Sequence, residues 1–152
     1  MKNILFVCTG NTCRSCMAES IFNYLCDIED VKAISAGISI VNNSKTSKNS
    51  AEVVKENIGI DISDRKAVRI TYDMVENSET ILTMTESIRN VLYEVFPEFK
   101  YKMFTLNEYV SVNSDILDPF GSDIQVYKKT YTQLRSSIIL LLRKLKEDMG
   151  IN

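Results

Sequence analysis

Five residues separate Cys8 from Arg14, and Ser15 follows directly, in the stretch Cys8-Thr9-Gly10-Asn11-Thr12-Cys13-Arg14-Ser15. A thiol, a guanidinium and a hydroxyl so spaced can hold a tetrahedral anion and attack it. With four Cys and six Arg among 152 residues, chance supplies about 0.16 such pairs, so the bare spacing is weak. Requiring Ser in the next place, when the chain has fifteen, lowers that about tenfold. Arg14 offers a planar, permanently charged fork suited to two phosphate oxygens. Its field, and that of free backbone N–H groups, favours a thiolate at Cys8, so no histidine base is needed in a chain that has none. Ser15 is placed to hydrogen-bond that thiolate and ease its departure in a second step. Displacing an alcohol, phenol or amine from phosphorus also requires a proton donor. Asp118, in Leu117-Asp118-Pro119-Phe120-Gly121, is the best candidate, because Pro119 and Gly121 shape a turn that can present a carboxylic acid. An Asp-Pro pair is also a common turn, which is the plainer reading.

The elements around these residues suit the chemistry. Ile4-Leu5-Phe6-Val7 is a continuous apolar run that reads as a strand buried on both faces. From Ser15 onward Met17, Ile21, Phe22 and Leu25 mark one face of a helix, and they are core residues with no function assigned. A strand turning into a helix N-terminus gathers free N–H groups and the positive end of a helix dipole, where a dianion fits. Gly10 and Asn11 tolerate left-handed backbone angles and let the loop curl into an anion nest. Further strands are expected at Val31 to Ala36, Thr80 to Met84 and Met103 to Leu106, with helices at about Lys48 to Asn57 and Glu86 to Val95. Ser39 to Ser50 reads as a surface loop, and roughly Ser122 to Met149 as a long closing helix. Strand and helix in alternation predict an α/β fold, a parallel sheet with helices on both faces, with the phosphate-binding loop between the first strand and the first helix. No linker divides the chain, so a single domain over 1–152 is expected.

Composition narrows the classes further. A net charge of −2 is not the footprint of a nucleic-acid binder. No apolar run is long enough for a signal-peptide core or a membrane span, so neither nucleic acid nor membrane is an expected partner and the location is expected to be cytoplasmic. All four cysteines, Cys8, Cys13, Cys16 and Cys26, fall in the first 26 residues and cannot staple distant parts of the chain. Without histidine a zinc site has little support, and no metal or cofactor is expected. Lys128, Lys129, Arg143, Lys144 and Lys146 read as the wet face of the closing helix. Tyr127 and Tyr131 suit either packing or modification, and Cys26 reads as a small buried residue.

The loop, with Met17-Ala18-Glu19, Ser35-Ala36-Gly37, Gly59-Ile60-Asp61-Ile62-Ser63, Ile81-Leu82-Thr83-Met84-Thr85 and Asp118-Pro119-Phe120-Gly121, resembles the low-molecular-weight protein tyrosine phosphatases nearly end to end. The resemblance implies a four-stranded, twisted parallel sheet with flanking helices. It makes Cys8 the nucleophile that forms a phosphocysteine, Arg14 the phosphate clamp, Asp118 the general acid, Asn11 the residue that fixes the loop and Ser15 the thiolate's partner. Phosphorylated proteins are then the substrates. Thr12 stands where tyrosine-directed members carry an aliphatic residue, and the loop Cys8 to Ser15 is similar at every position to that of the bacterial protein-arginine phosphatases of the family. Phe120 resembles the aromatic residue that flanks the guanidinium in that subgroup. Thr12 and Phe120 are thus the expected specificity residues, and phosphoarginine the expected target. Cys16 departs from the family's Pro, removing a preset φ near the helix start. Either Cys13 or Cys16 is a candidate for a reversible disulfide protecting Cys8, with simple burial the alternative for Cys16.

Three rivals stay open. A tyrosine phosphatase would share every catalytic group, an arsenate reductase would need a further cysteine pair that is missing after Cys26, and a non-catalytic phosphate-binding module could use the same scaffold.

Overall fold

The computed structural model describes residues 1–151. The apolar run near the start extends into β1 (Lys2–Cys8), and its last five residues are buried because a neighbour pairs on each side and helices close both faces. Those neighbours are β2 (Val31–Gly37) and β3 (Thr80–Thr83), and β4 (Met103–Thr105) pairs with β3 at the edge. All pairings are parallel and the order is β2-β1-β3-β4.

That order places the chemistry. The chain leaves β1 through α1 (Arg14–Leu25) to β2 on one side, and leaves β3 through α4 (Glu86–Val95) to β4 on the other. Right-handed crossovers running in opposite directions put α1 and α4 on opposite faces. The direction reverses beside β1, so a crevice opens at the C-terminal ends of β1 and β3, the usual ligand position in open parallel sheets. Between the two crossovers lie α2 (Lys48–Ile58) and α3 (Tyr72–Asn77). α5 (Leu106–Tyr109) follows β4, and the closing helix α6 (Ile124–Asp148) lies against α1 and α2. Phe6 of β1 meets Phe22 of α1 edge to face at 6.0 Å, in a core continued by Met17, Ile21, Leu134, Ile138 and Leu141.

Local signals account for the differences from expectation. α3 holds a single buried residue, Val75, and exists through its Thr71 cap, so it has no periodicity to read. The fourth strand stops at Thr105 rather than Leu106 because Thr105 caps α5, in a capping box with Glu108. A 3-10 turn, Pro97–Lys102, precedes β4. The polar segment from Ser39 yields to α2 at Lys48, where Ser47 accepts the Ser50 N–H, and Ser50 is buried. Tyr127 and Tyr131 are both buried, which assigns them to packing, whereas Cys26 is only half-buried. Among the described residues no helix is long and apolar enough to cross a membrane.

Candidate active site

The loop after β1 lies across the end of β2. Ile38 N–H donates to the Cys8 carbonyl at 3.1 Å and Ser39 N–H to the Thr9 carbonyl at 2.9 Å. The approach is so close that a Cβ at Gly37 would sit 2.6 Å from the Thr9 carbonyl oxygen and 3.0 Å from Asn11 N. Only glycine fits there. Within the loop Asn11 takes the left-handed conformation, φ 58°, while Gly10 has no positive φ. The expectation that both residues curl the loop is corrected to Asn11 alone.

Asn11 takes that conformation because its side chain is fully engaged. Its Oδ1 accepts from Arg65 Nη1 at 2.9 Å and from Val68 N–H at 2.8 Å. Two donors on one atom fix it as the oxygen, so the amide nitrogen must be the atom facing Ser15 Oγ at 2.7 Å and Ser35 Oγ at 3.0 Å. Ser15 Oγ accepts from the Asn11 amide N–H, which leaves its own O–H free to donate to Cys8 Sγ at 2.8 Å. The Asn11 N–H also points at Cys8 Sγ, at 3.2 Å. Two donors thus converge on one buried sulfur. Arg65 is held in turn by Glu19, with Nε to Oε2 at 3.2 Å, and by Ser35 Oγ, 2.8 Å from Nη2. Glu19 and Ser35 belong to motifs quoted above without a role. Arg65 was missed, since it lies 54 positions beyond Asn11 and no local pattern marks it.

Arg14 opens α1 and is buried. Its Nη1 donates to the Ile116 carbonyl at 3.3 Å, and its Nη2 lies 3.5 Å from Asp118 Oδ2. No side chain caps α1, so its first N–H groups are left to the loop side. The Asp118 segment is tied down on either side of the carboxylate: Ile116 N–H reaches the Met84 carbonyl at 3.0 Å, Thr130 Oγ1 donates to the Leu117 carbonyl at 3.0 Å, and Pro119 is buried. Gly121, φ 76°, completes the turn, and Phe120 N–H holds Asp118 Oδ1 at 3.0 Å. The Asp118 side chain itself is 57% exposed and Phe120 is 77% exposed.

These two segments face each other across a cleft of about 420 Å³ lined by residues 8–14, Ser39, Val41, Ser44, Lys45, Asp118 and Phe120. The structure therefore brings Cys8, Thr9, Gly10, Asn11, Thr12, Cys13, Arg14, Asp118 and Phe120 to one opening, with Ser15 behind Cys8. The arrangement suits capture of a tetrahedral dianion on N–H groups and a guanidinium, above a sulfur and below a carboxylate.

The other cysteines serve different neighbours. Cys13-Arg14-Ser15-Cys16 has a spacing that metal and redox pairs use, yet its two sulfurs take different hydrogen-bond partners. Cys13 Sγ lies 3.5 Å from Ser47 Oγ and 3.6 Å from the Tyr127 hydroxyl. Burial, and then the contact with Cys13, push the Tyr127 phenol up to about 12. Cys16 donates to the Cys13 carbonyl at 3.2 Å, and burial pushes its thiol far above the ordinary range. All four cysteines are free, and no group of three or more metal-ligating side chains occurs among the described residues.

Comparison with known proteins agrees with this geometry. Residues 3–150 match the family described as low molecular weight phosphotyrosine protein phosphatase. A protein-arginine-phosphatase of Bacillus subtilis is 35% identical over 150 residues, covering 96% of this chain and 98% of that protein. The solved arginine phosphatase of Geobacillus stearothermophilus superposes with a TM-score of 0.91 at 35% identity, over 97% of this chain and 95% of the other. A low molecular weight protein tyrosine phosphatase from T. tengcongensis gives 0.90 at 39% identity, over 95% and 99%. Sequence, sheet order and the loop after β1 lead to one assignment: the chain belongs to the low molecular weight phosphotyrosine protein phosphatases, enzymes that work through a cysteine.

Proposed function

We propose that this chain, as a single phosphatase domain acting in the cytoplasm, hydrolyses phosphoarginine in proteins through a phosphocysteine at Cys8. The phosphoryl group sits on the loop N–H groups and the Arg14 guanidinium, which spread its charge. The Cys8 thiolate attacks phosphorus in line; an S–P bond forms and the P–N bond to the arginine breaks. Asp118 gives its proton to the departing nitrogen, which leaves as arginine. Water then attacks the phosphocysteine, Asp118 takes a proton back, and Ser15 holds the thiolate as the S–P bond breaks. Before substrate arrives, the Asp118 carboxylate rests against Arg14. A phosphate on Arg14 competes for that contact, and Asp118, released, takes a proton from solvent and turns towards the leaving group as the acid.

The pairing of Thr12 and Phe120 at one opening carries the choice of arginine. A guanidinium brings N–H donors and a flat, delocalised cation. The Thr12 hydroxyl and the Asp118 carboxylate can accept from those donors, and an exposed Phe120 ring can lie against the plane. A phenyl ester offers no such donors. The relatives named above act on arginine in two cases and on tyrosine in one, at similar identity, so the pocket rather than overall likeness supports the reading. Side-by-side kcat/KM on a phosphoarginine and a phosphotyrosine peptide of the same sequence tests it. The expected result is a preference for phosphoarginine, and a preference for phosphotyrosine would move the assignment to a tyrosine phosphatase.

A further inference from the structure

Three charged side chains line the cleft: Arg14, Asp118 and Lys45. Arg14 and Asp118 lie against each other, whereas Lys45 has its partner, Asp64, outside the cleft at 3.2 Å. The Asp64 side chain is 94% exposed and that of Lys45 51%. A pair so wet is held by little and is readily exchanged. The backbone beneath Lys45 is fixed by contrast. It forms an antiparallel bridge with Lys66, flanked by Ala67 N–H to the Ser44 carbonyl at 2.8 Å and Thr46 N–H to the Arg65 carbonyl at 3.1 Å. Ser47 N–H then joins the Thr12 carbonyl at 2.9 Å, tying the segment to the loop that holds the nucleophile. Lys45 thus carries a half-exposed cation with an exchangeable partner on a hydrogen-bonded backbone at the edge of the cleft.

A phosphorylated side chain whose phosphorus reaches Cys8 leaves its peptide backbone at that rim. We infer that Lys45 is a specificity-determining residue that selects substrate sites with an acidic residue beside the phosphorylated one. Lys45 trades Asp64 for the substrate carboxylate, and a basic neighbour in the substrate meets repulsion instead. The inference rests on the reading of a phosphorylated protein as substrate, but not on the identity of the phosphorylated residue.

The test uses phosphoarginine peptides that differ only in having Glu, Gln or Lys next to the phosphoresidue on either side, and the same set with phosphotyrosine. For the wild type, kcat/KM at low salt is expected to favour Glu over Lys about three- to tenfold, shrinking as salt rises. In Lys45→Gln the ratio should fall towards one, and in Lys45→Glu it should invert. p-Nitrophenyl phosphate, which has no flank, measures any general pull of the lysine on phosphate. An unchanged Glu/Lys ratio in both variants overturns the inference. So does an equal loss on every peptide and on p-nitrophenyl phosphate, which would make Lys45 a general attractor of phosphate. Should the wild type prefer phosphotyrosine, the arginine reading fails alone, since the ratio within the phosphotyrosine set still reports on Lys45.

Discussion

The two banks of the cleft are built in opposite ways. On the bank of Cys8 to Ser15 the side chains of Cys8, Asn11, Arg14 and Ser15 are buried and bonded: Asn11 alone makes four side-chain hydrogen bonds, and Arg65 and Glu19 brace it from behind. On the bank of Asp118 and Phe120 the backbone is tethered, but the side chains stand in solvent. A phosphoryl group is the same in every substrate and rewards a rigid receptor, since preorganised donors need no rearrangement as charge develops. Leaving groups differ, and an exposed bank accommodates them. Changes on the buried bank should therefore slow all substrates alike, and changes facing the leaving group should discriminate.

Cys8→Ser is the largest test of that division. An alcohol is far less ionised than a thiol in the same field, so turnover of every substrate should vanish while phosphate still binds, as titration calorimetry can show. Residual turnover above about a few per cent would remove Cys8 from the nucleophile's role. Asp118→Asn should cost about 10² to 10⁴ on substrates with poor leaving groups and much less on p-nitrophenyl phosphate, whose phenol leaves readily without a proton. Equal slowing of both would make Asp118 a structural residue and erase the difference between the banks.

Arg65 does not line the cleft, so its effect is expected to pass through Asn11. Arg65→Met should lower kcat by about 10- to 100-fold on phosphoarginine, phosphotyrosine and p-nitrophenyl phosphate in the same proportion, with KM little changed, and Arg65→Lys should recover part of the loss. A loss confined to one substrate would show that Arg65 reaches the leaving group. Thr12→Ile is the smallest change, because Thr12 belongs to the loop but faces the cleft. Loss of a hydrogen bond is worth about 0.5 to 1.5 kcal/mol, and unpaired substrate donors add about 1 to 3 kcal/mol. Phosphoarginine turnover should fall while phosphotyrosine turnover holds or rises, shifting the kcat/KM ratio by roughly tens to hundreds. A parallel fall in both would place Thr12 with the rigid bank.

The rigid bank was also the more legible in sequence, though only in part. Cys8, Arg14 and Ser15 are close in the chain, and the apolar run before them names a buried strand, so residue types and order suffice. The choice between Gly10 and Asn11 for the left-handed position turned on tertiary contacts. Glycine is the cheaper residue there in general, but Arg65 and Val68 N–H hold the Asn11 amide, and both arrive from far along the chain. α3 was invisible for a similar reason, with one buried side chain and a cap in place of a periodic face. On the other bank Asp118 was legible as a turn residue. Its approach to Arg14 depends on Ile116 pairing with the end of β3 and Thr130 of α6 catching Leu117, contacts that no short pattern encodes.

Gly37 extends this to inheritance. It contacts no substrate, carries no side chain and lies outside the loop, yet a single added carbon would push the Thr9 carbonyl and the Asn11 amide apart. In a saturation library scored for activity, codon 37 should tolerate almost nothing, while the neighbouring exposed positions of the same turn vary freely. If Thr12, Lys45 and Phe120 select substrates as proposed, a lineage would retune its substrates through codons 12, 45 and 120 while codon 37 stays frozen, and the record of that constraint would be written in a residue that performs no chemistry.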